Sequence, residues 1–180
     1  MRVFIAINLP PKVKQDIARL IGSLGKQASA LRWLDQTLWH LTLVFLGEIS
    51  PDQLSQAEIR LQDLLEPISP FTLSLQNMIG FPSLRNPSIV GLGVKTNQKL
   101  AELVEQFRSE LKRLQIGKIE SRKFQPHITI ARNKSGVGDL SSWEGQGLAS
   151  NWTVNSIEVM QSILNPEGAQ YQLLKSFSLK

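Results

Sequence analysis

The chain alternates between two hydrophobic rhythms, one of strands and one of helices. Residues 3–9 form a short β-branched run stopped by Pro10-Pro11, the pattern of a buried strand feeding a helix start. Val13, Ile17, Leu20, Ile21 and Leu24 then fall at helical spacing over residues 11–24. Arg32-Trp33 and residues 38–47 read as strand. Ser50-Pro51-Asp52-Gln53 is a helix-start signature, with Ser as cap, Pro in the first turn and Gln three residues after the cap. Leu54, Ala57, Leu61, Leu64 and Leu65 continue it as one stripe that ends by Pro67. Residues 71–75 alternate as a strand, and Gly80-Phe81-Pro82 and Arg85-Asn86-Pro87 bracket an expected loop. Residues 89–94 read as another strand. Asn97 can cap a helix carrying Leu100, Leu103, Val104, Phe107, Leu111 and Leu114, with Gly117 as its expected terminator. A strand beginning at His127 follows, then a Gly- and Ser-rich loop over residues 133–147. Residues 154–162 and 171–179 look like a closing pair of strands joined across Asn165-Pro166-Glu167-Gly168.

The order is strand, helix, strand, helix, strand, and then strand, helix, strand, strand, strand. Helices laid on one face of mostly antiparallel sheets give an α+β architecture. The two halves read as diverged, pseudo-symmetric copies, each offering a sheet with helices against its outer face.

Composition narrows the partner more than the fold. At 180 residues the chain is one domain, or two intimately packed lobes. A formal charge of +5 and a pI near 9.7 favour an anionic partner, nucleic acid or a phosphorylated small molecule. There is no cysteine, which excludes disulfides and thiolate metal sites. The first apolar run is too short for a secretory signal, and no run approaches the ~18 apolar residues of a membrane span, so a cytoplasmic protein is expected.

The chemistry-bearing pattern lies on the strands. The chain holds two histidines, and each opens the same motif: His40-Leu41-Thr42-Leu43 and His127-Ile128-Thr129-Ile130. Alternation places each His and its Thr on one face of a strand and the apolar pair on the other. If the two lobes face each other, His40 and His127 meet across one cleft. Arg132 is one step off the register of His127 and Thr129, and rejoins their face only if the strand bulges, twists or ends there. Two imidazoles at one site suit general acid–base catalysis, one neutral and one protonated near neutral pH. Two threonine hydroxyls and an arginine suit a phosphate held between them. No HxxxH pattern and no carboxylate cluster accompany either histidine, so no metal and no cofactor are expected. Trp33, Trp39, Phe81 and Tyr171 are expected as core or loop anchors, with Phe81 and Tyr171 the candidates for stacking on a base.

These residues resemble the two-histidine (2H) phosphoesterase superfamily, and most of all its RNA 2′,3′-cyclic phosphodiesterases, also called 2′-5′ RNA ligases. The resemblance covers nearly the whole chain. It runs through Arg2-Val3-Phe4-Ile5-Ala6-Ile7-Asn8-Leu9-Pro10, Arg32-Trp33 with the first motif, Gly80-Phe81-Pro82, and Phe124-Gln125-Pro126 with the second motif and Arg132. It ends in Ser162-Ile163-Leu164, Gly168 and Tyr171. Asn8 stands where that family more often has Asp, and Trp39 stands where a small or polar residue is commoner, which points to a different substrate rim. The resemblance implies a bilobal fold with a V-shaped cleft. It implies hydrolysis of an RNA 2′,3′-cyclic phosphate to a 2′-phosphomonoester. His127 would be the base that activates water, His40 the acid that protonates the departing 3′ oxygen, and Thr42, Thr129 and Arg132 the phosphate ligands. It also implies 2′-5′ joining of RNA halves, such as tRNA halves, in the reverse direction.

Two rivals remain at this level. One is a 2H activity on a small cyclic phosphate or nucleotide. The other is a non-catalytic RNA- or nucleotide-binding module. Arg122-Lys123, just before the second motif, is a candidate guide for an RNA end, whereas Arg108, Lys112 and Arg113 share one helix. A monomer is the default for an enclosed cleft in a chain of this size.

Overall fold

A computed structural model describes residues 1–25, 31–95, 97–133, 136, 138–166 and 168–180. The strands are β1 (Arg2–Asn8), β2 (Arg32–Trp33), β3 (His40–Glu48), β4 (Phe71–Phe81), β5 (Ile89–Val94), β6 (His127–Arg132), β7 (Asn151–Val154), β8 (Ser156–Asn165) and β9 (Gly168–Ser178). The helices are α1 (Pro11–Ser23), α2 (Pro51–Leu65) and α3 (Gln98–Arg113). The strands join in the order β7-β4-β5-β6-β3-β1-β8-β9, with β2 alongside β6, and every pairing is antiparallel. The result is α+β, as expected.

Helix boundaries follow local chemistry. Ser50 Oγ accepts from the Gln53 backbone N–H at 3.2 Å while Gln53 Oε1 accepts from the Ser50 N–H at 3.1 Å, a reciprocal capping box. Asn97 Oδ1 accepts from the Leu100 N–H at 2.8 Å at the start of α3. The end of α3 differs from expectation. Gln115 takes the left-handed conformation at φ 56°, two residues before Gly117, which is also left-handed at φ 68°. Gly117 passes so close to β3 that a Cβ there would lie 2.3 Å from the Leu46 carbonyl oxygen.

One core joins the sheet to the helices. Val3, Ile5 and Ile7 of β1 and Leu41, Leu43 and Leu46 of β3 pack in one cluster with Val13 and Ile17 of α1, Leu61 of α2 and Phe107 of α3. The alternate β1 residues, Phe4 and Ala6, face away from the helices and cluster with Met160, Phe45 and Tyr171. The helices thus cover one face of the sheet, and the other face stays open.

The lobes in space are not the halves of the chain. β4 pairs with β5 rather than β1, and β8 pairs with β1. One lobe is therefore β3-β1-β8-β9 and the other β6-β5-β4-β7. Three further expectations shift. β4 runs on to Phe81 past an irregularity between Leu75 and Met78, so Gly80 and Phe81 are strand rather than loop, and the Phe81-Pro82 peptide is cis. The strand expected over residues 154–162 divides at Asn155, where the chain passes from β7 in one lobe to β8 in the other. The first-motif strand starts at His40, and Gln36–Leu38 forms a 3-10 turn before it. Parts of the loop expected over 133–147 and of the turn at 165–168 fall on residues 134, 135, 137 and 167, outside the described residues.

Candidate active site

β3 and β6 meet at a single residue pair, Leu41 opposite Ile128. These are the second residues of the two motifs. On each side of this seam the motif strand pairs with its neighbour in the same register. Phe4, Ile5, Ala6, Ile7 and Asn8 lie opposite Phe45, Val44, Thr42, Leu41 and His40. Ile89, Val90, Gly91, Leu92 and Gly93 lie opposite Arg132, Ala131, Thr129, Ile128 and His127. Each motif strand therefore carries an unmatched residue at the fourth motif position, Leu43 in β3 and Ile130 in β6, and β3 carries a second at Leu46. Such a bulge resets the alternation of faces. It returns Arg132 to the face of His127 and Thr129, and Phe45 to the face of His40 and Thr42.

Each histidine is held through its Nδ1. The His40 Nδ1 lies 2.8 Å from the Leu38 carbonyl oxygen and the His127 Nδ1 2.9 Å from that of Gln125. A carbonyl only accepts, so each Nδ1 carries hydrogen and each Nε2 is the atom left to exchange a proton. The Leu38 carbonyl is set by the 3-10 turn, capped by Asp35, whose carboxylate accepts from the Thr37 N–H at 2.8 Å and its hydroxyl at 2.6 Å. The Thr42 hydroxyl lies 2.9 Å from the His40 Nε2 and, toward a neutral ring, donates to it.

The two imidazoles have different surroundings. The His40 ring packs against Phe4, centroids 4.9 Å apart, and against the edge of Tyr171 at 5.1 Å. Burial pushes its pKa down to about 4, partly opposed by the Leu38 carbonyl and reinforced by the like charges of His127 and Lys14. The His127 ring packs against Phe81 at 4.5 Å.

A cleft of about 310 Å³ lies over both motifs. Its walls include His40, Thr42, His127, Thr129, Arg132 and Tyr171. Phe81 is not part of that wall. Trp39 does not shape the rim, because its side chain is turned into the core at 4% exposure. Arg122 is paired with Glu120 at 2.8 Å, and neither it nor Lys123 lines the cleft. Among the described residues the cleft cations are Arg132 and Arg2, and no carboxylate lines the cleft. Arg2, Phe4 and Phe45 escaped the sequence reading. The i, i+2 alternation of Arg2, Phe4 and Ala6 with an apolar helix-side row was the available signal. Among the described residues, no group of three or more His, Cys, Asp or Glu side chains could hold a metal ion.

The family model of LigT-like phosphoesterases matches residues 7–91 and again 92–171. The chain belongs to this family. The repeat of the match on either side of residue 91 mirrors the repeated strand register. A protein of Archaeoglobus fulgidus named RNA 2′,3′-cyclic phosphodiesterase is 28% identical, over 98% of this chain and 99% of its own. One of Thermotoga maritima with the same name is 30% identical, over 97% and 93%. The crystal structure of E. coli LigT complexed with 3′-AMP superposes with a TM-score of 0.83 at 26% identity, covering 99% of this chain and 97% of that one.

Proposed function

We propose that this LigT-like phosphoesterase hydrolyses the 2′,3′-cyclic phosphate at an RNA end to a 2′-phosphomonoester. The observation that carries the reading is the pair of Nδ1-anchored imidazoles on one cleft, each with a threonine beside it on the same face. The names of the full-length relatives supply the substrate class.

The reaction needs one proton removed and one supplied. The His127 Nε2 takes a proton from water as the water oxygen bonds to phosphorus. The P–O3′ bond breaks, and the His40 Nε2 gives its proton to the departing 3′ oxygen. On its own, His40 is neutral at pH 7, because burial holds its pKa down at about 4. The bound phosphate anion supplies the negative charge that brings the proton onto Nε2. Thr42 and Thr129 donate to the non-bridging oxygens, and Arg132 balances the charge that grows on them. A 5′-hydroxyl in place of water, deprotonated at the His127 Nε2 while the His40 Nε2 protonates the departing 3′ oxygen, would join RNA ends, tRNA halves among them, by a 2′-5′ bond.

The rival is a small cyclic phosphate such as ADP-ribose 1″,2″-cyclic phosphate. Comparing kcat/KM for that compound and for a short RNA cyclic phosphate, across a salt series, separates them. The RNA reading predicts a higher value for RNA and a decline with salt as counterions compete for the strand. A higher value for the small compound contradicts it.

A further inference from the structure

The repeated register exposes one break in the symmetry. Phe45 occupies in the first lobe the position of Arg132 in the second, since each lies two residues past its unmatched one, opposite Phe4 and Ile89 respectively. The first lobe thus has an apolar ring where the second has a guanidinium. Its cation comes instead from the neighbouring strand. The Arg2 guanidinium lies over the Phe45 ring, 4.8 Å from the centroid. Arg2 pairs in register with Glu48, but the Glu48 carboxylate is taken by the N-terminal ammonium at 3.2 Å.

The stack has chemical consequences. A ring face engages the flat side of a guanidinium and leaves its N–H edge donors free in the plane. It also fixes where the fork sits. Phe45 is three residues along β3 from Thr42, about 10 Å at strand rise. A fork held there stands away from the phosphate between the two histidines. Among the described residues no ring lies beneath Arg132, which lines the same cleft as the two histidines. A planar fork lodged on an aromatic ring, in a cleft that no carboxylate lines among the described residues, is built for a second anion.

We propose that Arg2, seated on Phe45, binds the phosphodiester on the 5′ side of the terminal nucleotide. This rests on the phosphodiesterase reading and deepens it. The cleft then measures two phosphates, the cyclic one at the histidines and its chain neighbour at Arg2. An RNA end is distinguished from a lone nucleoside cyclic phosphate by that second contact.

The test uses three substrates with the whole 180-residue chain: adenosine 2′,3′-cyclic phosphate, the dinucleotide ApA 2′,3′-cyclic phosphate, and the same dinucleotide with a neutral methylphosphonate linkage. The wild type should favour the charged dinucleotide over the neutral one by at least tenfold in kcat/KM. Arg2→Gln should bring that ratio close to one, and Arg2→Lys should leave it in between, having charge without the fork. A ratio is insensitive to partial misfolding, which lowers all three rates together. A charged-to-neutral ratio near one in the wild type, or a ratio that Arg2→Gln leaves unchanged, overturns the Arg2 subsite and leaves the phosphodiesterase reading standing. No turnover of any of the three by the wild type overturns both.

Discussion

Leu41 of β3 lies opposite Ile128 of β6, and this pair is the pivot of the cleft. Extending the antiparallel register by one residue each way sets His40 opposite Thr129 and Thr42 opposite His127. Each histidine therefore has one threonine beside it on its own strand and another across the seam. A tetrahedral phosphate centred over the seam can meet an imidazole and a hydroxyl from each side.

Packing of β5 on β6 is tighter than that of β1 on β3. A Cβ on Gly91 would lie 2.6 Å from the Ile128 carbonyl oxygen, whereas the equivalent residue in the first lobe, Ala6, carries a Cβ in place. Gly91→Ala should therefore part the two strands beneath Thr129 and destabilise the fold by about 1–3 kcal/mol. Urea unfolding checks this, with Ala6→Gly as the milder counterpart at about 0.5–1 kcal/mol.

Phe4 and Tyr171 bury the His40 ring. Tyr171→Ala should admit water to it and raise its pKa from about 4 toward the ordinary 6.5. NMR titration of the imidazole reads the shift directly. A midpoint that stays near 4 would place the cause elsewhere than in this aromatic contact.

The same burial predicts acid sensitivity. A histidine whose folded pKa lies below its unfolded one leaves the native state binding fewer protons between the two values, so stability falls as pH drops through that window. For His40 the window runs from about 6.5 down to about 4. Its full span is on the order of 3 kcal/mol, an upper bound for a partly accessible ring. His40→Gln should flatten the pH dependence of the unfolding free energy across it.

The sequence and the fold agree most where a local pattern decides the outcome. Strict alternation marked both motif strands, and Ser50 with Gln53 marked a capping box that closes as expected. Disagreement begins where tertiary contacts decide. Exposed Gln76 and Asn77 interrupt the alternation of β4, so its extension to Phe81 left no periodic trace. Gln115 ends α3 in the left-handed conformation two residues before Gly117, which is left-handed as well and lies where the chain crosses Leu46. The exchange of β4 and β8 between lobes is a matter of which edge each strand finds, and no local rhythm encodes it. Within the cleft, the motifs announced His40, Thr42, His127 and Thr129, and Arg132 rejoins their face by way of the bulge at Ile130. Arg2 stayed hidden, since its part depends on a ring one strand away.

The Thr42 hydroxyl is placed both to donate to His40 and to reach the phosphate. Thr42→Val and Thr129→Val should each lower kcat/KM by roughly 5- to 150-fold, the worth of about 1–3 kcal/mol for a lost hydrogen bond to a charged group. Steady-state kinetics on a cyclic-phosphate RNA end checks both. Because the two hydroxyls hold one phosphate, the double variant should lose less than the product of the single losses.

The most direct test of the two-histidine mechanism is a single-turnover assay with a short RNA bearing a 2′,3′-cyclic phosphate, in EDTA, with product isomers resolved. The wild type should yield only the 2′-phosphomonoester. His40→Ala and His127→Ala should each slow the reaction by a factor on the order of 10²–10⁴. Accumulation of the 3′-phosphate isomer would reverse the acid and base roles. Undiminished turnover by either variant, or loss of wild-type turnover in EDTA, would contradict metal-independent catalysis by the paired imidazoles.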